Sequence, residues 1–300
     1  MKYFIITVDT EGDNLWAYKG GIIGTKNAEY LPRFQSLCEK FGFKPVYLTN
    51  YEMIMSDTYC NFVSEALARN ACEVGIHLHA WNTPPNYPLL HNHNQNSYLI
   101  EYPLEVREKK FKVLYDLIKE KLNYTPVSHR AGRWATDGDY FKMLEKFDIT
   151  VDCSITPFVD WSKTPGEEVD GGNDYSNANP AKHKIGNVIE VPMSIRKCRY
   201  LLDGTLKHKV KTVVFGNKLW LRPAMSTMNE MKHLIDVIDN EPDTDYLEFM
   251  VHSSEVMPGG SPYFRDEDAV EKMFVSMEQV FQYAFSKGYR GITLREYSKL

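Results

Sequence analysis

The chain has 300 residues, 43% hydrophobic and 25% charged, enough to bury the core of one large α/β domain. A formal charge of −5 offers no basic patch for nucleic acid, and no apolar run approaches the length of a membrane span. Five scattered cysteines without a C-x-x-C pair suggest neither a zinc ribbon nor a disulfide framework. The N-terminus enters an apolar run at once and lacks the form of a signal peptide, so a reduced, cytoplasmic protein is the expectation.

Segments rich in Val, Ile, Tyr and Phe predict strands at residues 3–8, 45–49, 73–78, 127–129, 150–153, 188–192, 246–251 and 291–294. Between them, helical patterns fall at 29–41, 61–69, 104–122, 137–147, 227–239 and 267–286. In the third of these, Val106, Val113, Leu114, Leu117 and Ile118 keep close to helical period, and Lys110 interrupts the stripe. Strand–helix alternation implies parallel strands joined by right-handed crossovers, and this many strands favour a closed or nearly closed barrel. No linker divides the chain, so residues 1–300 read as one domain. Two long irregular stretches, 82–102 and 158–187, have the length of binding loops or lids.

Three strand ends carry chemistry. Asp9 and Glu11 flank Thr10; carboxylates at i and i+2 on extended backbone face one side, and Gly12 lets the chain turn away. The plainer reading is a polar turn. His77 and His79 have the same spacing. Two neutral imidazoles with a carboxylate from elsewhere make a three-ligand metal site with an open position; otherwise one histidine is core and the other surface. His252 ends the strand at 246–251 and can exchange a proton near neutral pH. Arg130 follows another strand, and its fixed, bidentate cation suits holding a carboxylate. Ser253 and Ser254 lack a G-x-S-x-G elbow and are not read as nucleophiles. His91 and His93 lie in a polar loop, as solvated side chains or substrate contacts. Trp81, Trp134 and Trp161 each follow a predicted strand, where rim packing and sugar stacking have equal weight.

Taken in order, these pieces resemble the motifs of the polysaccharide deacetylases, carbohydrate esterase family 4 of NodB-homology type. Val8-Asp9-Thr10-Glu11-Gly12 resembles the first motif, with a base aspartate and a metal carboxylate. Glu73-Val-Gly-Ile-His77 resembles the second, which supplies metal histidines, and Arg130-Ala-Gly-Arg133 the third, whose arginine orients the base. Asp160-Trp161 resembles the Asp-Trp pair that tunes the catalytic histidine, and Val251-His252 the motif carrying that histidine. The first motif usually has adjacent carboxylates; with Thr10 between them, which of Asp9 and Glu11 is base and which is ligand stays open. The second motif usually has its later histidine where Trp81 stands, and His79 is the substitute. This H-x-H-x-W form resembles a divergent branch.

The resemblance implies a distorted (β/α)7 barrel with parallel strands. It also implies a metal-dependent hydrolase that removes an N-acetyl group from an amino sugar or glycan. Glu11, His77 and His79 would hold Zn²⁺, with Co²⁺, Ni²⁺ or Mn²⁺ as alternatives. Asp9, held by Arg130, would be the base and His252 the acid; Trp81, Trp134 and Trp161 would bind substrate. Without an export signal, a nucleotide- or lipid-linked sugar is the expected substrate type. The rivals are another barrel metallohydrolase, an amidohydrolase or phosphoesterase, and a non-catalytic glycan-binding barrel. Nothing in the sequence specifies an oligomeric state.

Overall fold

The first strand, β1 (Lys2–Thr10), is buried on both faces, and alternate residues enter two different cores. Phe4, Ile6 and Val8 point outward beneath the surrounding helices. Ile5 points inward, where it meets Val46, Leu48, Val151, Cys153, Val191 and Tyr246. Two-sided burial is what a parallel sheet covered by helices requires. Each large side chain buried this way contributes roughly 1.5–3 kcal/mol. The computed structural model describes residues 1–90, 96–199 and 217–300.

The further strands are β2 (Pro45–Thr49), β3 (Glu73–Leu78), β4 (Ser128–Ala131), β5 (Val151–Asp152), β6 (His183–Ile185), β7 (Val188–Glu190), β8 (Ile195–Cys198), β9 (Asn217–Trp220), β10 (Tyr246–His252) and β11 (Tyr289–Gly291). The sheet runs β10-β1-β2-β3-β4-β5-β7, seven strands, each parallel to its neighbour. β6 adds antiparallel at the β7 end, and β11 pairs with the start of β1. The gap between β7 and β10 is closed without a continuous ladder. Leu221 N donates to Ser194 O (3.0 Å), Met250 N to Leu221 O (3.1 Å) and Glu248 N to Ser194 Oγ (2.9 Å). The result is the expected distorted (β/α)7 barrel.

The helices differ from the periodicity at their starts, for local reasons. The helix expected at 29–41 begins at Leu31, after a 3-10 turn at Lys26–Tyr30, with Pro32 in its first turn. The helix expected at 61–69 spans Asp57–Ala68, because Ser56 caps it by accepting from Tyr59 N. The predicted strand at 291–294 is corrected: pairing stops at Gly291, and Thr293 and Glu296 form a capping box that starts a helical turn, Leu294–Tyr297. No described helix is long and apolar enough to cross a membrane.

Register sets the site. Asp9 on β1 sits opposite His252 on β10, and His77 on β3 opposite Arg130 on β4. Both pairs lie at the carboxyl ends of parallel strands, the rim where barrel enzymes place their chemistry.

Candidate active site

Inside the barrel, below the rim, Arg130 is fully buried and spans the interior. Its Nη1 donates to Asp9 Oδ1 at 2.5 Å, and its Nη2 to Thr7 Oγ1 at 2.9 Å and to Glu248. Its Nε donates to Cys153 O at 3.1 Å. A buried cation needs this much compensation. Burial alone would raise the Asp9 carboxyl, but Arg130, His77 and His252 outweigh it and hold Asp9 below the usual carboxylate range. Burial dominates at Glu248, pushed up to about 7 despite Arg130.

One turn of pleat higher, Glu11 Oε2 lies 2.8 Å from His79 Nε2 and 3.5 Å from His77 Nε2. Burial opposes ionisation of Glu11, yet His252, His77 and His79 hold it well below the ordinary range. His77 is shifted the opposite way: burial lowers it, and Asp9 and Glu11 more than reverse that. His79, where burial prevails, is lowered. Ser253 Oγ accepts from Glu11 N and donates to Glu11 O, both at 3.0 Å, so this serine buttresses the loop.

These residues fit a divalent cation. The ligand atoms of Glu11, His77 and His79 are buried and lie within 4.8 Å of one another. His77 Nδ1 is committed to Arg130 O at 3.0 Å, so its Nε2 lone pair faces the carboxylates. One carboxylate and two imidazoles suit Zn²⁺, Co²⁺, Ni²⁺ or Mn²⁺.

His252 Nε2 is 3.8 Å from Asp9 Oδ2 and 3.7 Å from Glu11 Oε1. Its Nδ1 meets two groups that sequence reasoning missed. Arg222 Nη2 donates to it at 3.0 Å, and Glu255 Oε1 stands 3.6 Å away. Arg222 also pairs with Glu255 at 2.9 Å. Burial would raise Glu255, but Arg222 and His252 bring it down to about 2. A guanidinium cannot accept, so neutral His252 carries its proton on Nε2, facing the centre.

The Asp-Trp pair divides. Trp161 lines the cleft, whereas Asp160 is exposed and accepts from Ser162 N at 2.8 Å. The groups beside His252 Nδ1 are Glu255 and Arg222. Adjacent residues on extended backbone face opposite ways, and Asp160 lies in a β-bridge with Asp174. Trp81 and Trp134 also line the cleft, whose volume is about 420 Å³. Arg130 packs 5.0 Å from the Trp134 ring centre, so that tryptophan serves packing and cleft together. His91 and His93 lie outside the described residues.

No protein-family model matches the chain, and no curated protein matches it. Solved structures do match. The 4-alpha-glucanotransferase from Thermococcus litoralis superposes with a TM-score of 0.53 at 12% identity, over 100% of this chain and 38% of its own. This chain therefore spans well under half of that protein. A putative polysaccharide deacetylase from Mycobacterium smegmatis matches at TM-score 0.47 and 13% identity, over 98% and 94% of the two chains. A family 4 acetyl xylan esterase from Clostridium thermocellum, in complex with a cobalt ion, matches at TM-score 0.46 and 14% identity, over 98% and 89%. Likeness at such identities is likeness of fold.

Proposed function

We propose that this chain is a metal-dependent hydrolase that removes an N-acetyl group from an amino sugar or glycan. The observation that carries the reading is the convergence of Glu11, His77 and His79 beside an Asp9 held by Arg130 and a His252 on the next strand. Glu11 faces both histidines while Asp9 is gripped by the arginine, which supports Glu11 as ligand and Asp9 as base.

A divalent ion held by Glu11, His77 and His79 would supply a Lewis acid and a water ionised near neutral pH. Asp9 uses Oδ1 for Arg130 and keeps Oδ2 toward His77 and His252, free to accept a proton. Arg222 and Glu255 share His252 Nδ1 between the two forms of the ring. The neutral ring accepts from Arg222; the cation donates to Glu255 and can release its Nε2 proton to the departing amine. A pure glycan binder has no use for this acid–base pair, and a phosphoesterase would call for more metal-binding groups.

The test is metal content of wild type beside His77→Ala, followed by acetate release from N-acetyl sugars. About one divalent ion per chain, lost in the variant, with acetate released, upholds the reading. Metal without acetate from any N-acetyl sugar would leave a different hydrolase, and no metal would bring the glycan-binding barrel forward.

A further inference from the structure

All five tryptophans of the chain, Trp16, Trp81, Trp134, Trp161 and Trp220, line the one cleft above Glu11 and His77. Aromatic faces suit the apolar face of a sugar ring but do not choose among sugars. Charge chooses, and Arg133 lines the same cleft.

Arg133 differs from its two neighbours in the site. Arg130 and Arg222 are each paired with buried carboxylates. Arg133 donates to the backbone carbonyls of Asn96 and Pro165 and stacks 4.0 Å from the centre of the Tyr98 ring. Glu101 and Glu167 are the carboxylates whose charge reaches it. A guanidinium has five N–H donors, so two carbonyl bonds leave donors unspent. Burial draws its pKa down, against the weaker pull of Tyr98, Glu101 and Glu167. The backbone adds a second mark. Arg133 (φ 57°) and Trp134 (φ 64°) are consecutive non-glycine residues in the left-handed region. Such strain collects at ligand clamps.

We propose that the substrate of this cleft carries an anionic oxygen group, a carboxylate or a phosphate ester on the sugar, and that Arg133 receives it. The proposal rests on the reading of the cleft as an amino-sugar site. The chain's net charge of −5 gives an anion no general attraction, so its recognition has to be local.

Five tryptophans in the cleft make intrinsic fluorescence a direct binding readout, independent of turnover. The purified metal-loaded protein is titrated with N-acetylglucosamine, N-acetylglucosamine 1-phosphate and the corresponding N-acetylated uronic acid. At least one anionic sugar should bind about tenfold or more tighter than the neutral one, and which one identifies the source of the charge. Arg133→Gln should erase the preference, and Arg133→Lys should keep most of it, which separates lost charge from a disturbed loop. Equal binding of all three overturns the proposal. So does a preference that survives Arg133→Gln, since the anion would then sit on the metal or Arg222. Acetate release, followed in parallel, separates the two readings. A charge preference without acetate from any probe removes the hydrolase and keeps Arg133. Equal acetate and equal binding from all three does the reverse.

Discussion

His77 donates its Nδ1 proton to the backbone carbonyl of Arg130 at 3.0 Å, and the same arginine's side chain grips Asp9 at 2.5 Å. One residue thus orients a metal-ligand candidate through its main chain and the base candidate through its side chain. Arg130→Met should remove only the second link. It leaves Asp9 and Glu248 buried without their cation, a change of the kind that costs about 3–5 kcal/mol. Denaturant unfolding should show that loss, while metal content at low temperature stays near wild type because the His77–carbonyl bond survives. A stability change within error would mean that Asp9 and Glu248 do not depend on Arg130 for compensation.

Ligands and proton carriers should separate cleanly on substitution. Glu11→Ala, His77→Ala and His79→Ala each remove one of three clustered donors and should lose bound metal. Asp9→Asn and His252→Ala should keep it and lose about two to four decades of turnover. Elemental analysis beside an acetate assay reads both. A His79→Ala protein that holds a full metal complement would remove His79 from the ligand set, and near wild-type turnover of Asp9→Asn would end its role as base.

Gly132 sets how closely β4 approaches the ligand loop. A Cβ there would fall 2.4 Å from Leu78 O and 2.8 Å from His79 Nδ1. The first contact is backbone and cannot swing aside. Gly132→Ala should therefore cost about 1–3 kcal/mol, and by shifting the His79 ring it should weaken metal binding about 10- to 100-fold. Chelator competition measures the second effect. Unchanged affinity would show that His79 does not need its present position to serve the metal.

The placement of these residues was legible because strand period and burial agree. Thr10 between Asp9 and Glu11 puts both carboxylates on the inner face, and Leu78 does the same for His77 and His79. The supporting groups were harder to see, for different reasons. Glu248 interrupts the apolar run of β10, and a charge inside a fully buried strand was a visible sign of an interior partner. Glu255 reaches back to His252 only because a 3-10 turn, Ser253–Val256, follows the strand. Arg222 sits in irregular backbone, where no periodicity announces which way a side chain faces. The tryptophans read as ambiguous because a rim residue and a sugar platform have the same local sequence; the structure brings them to one cleft.

Glu248 gives the barrel interior a pH dependence whose direction follows from its environment. Its ordinary value is 4.5 and burial pushes it up to about 7 in the folded protein, against the pull of Arg130. The unfolded chain releases this proton near 4.5 and the folded one keeps it until about 7. Between those values the folded state binds more protons, so this group's contribution to stability is full at the acid end and lost as pH rises. The loss is on the order of 3 kcal/mol across the window. Glu248→Gln keeps an acceptor for Thr7 and Arg130 but cannot ionise. Relative to wild type it should gain stability from pH 5 to pH 8, the other titrating groups being common to both proteins. Urea unfolding at the two pH values gives the difference. Parallel profiles would mean that Glu248 is ionised throughout and meets Arg130 as a carboxylate. The relative gain would mean that Glu248 stays protonated on the acid side and leaves the arginine's charge chiefly for Asp9, the arrangement a base held in its anionic form requires.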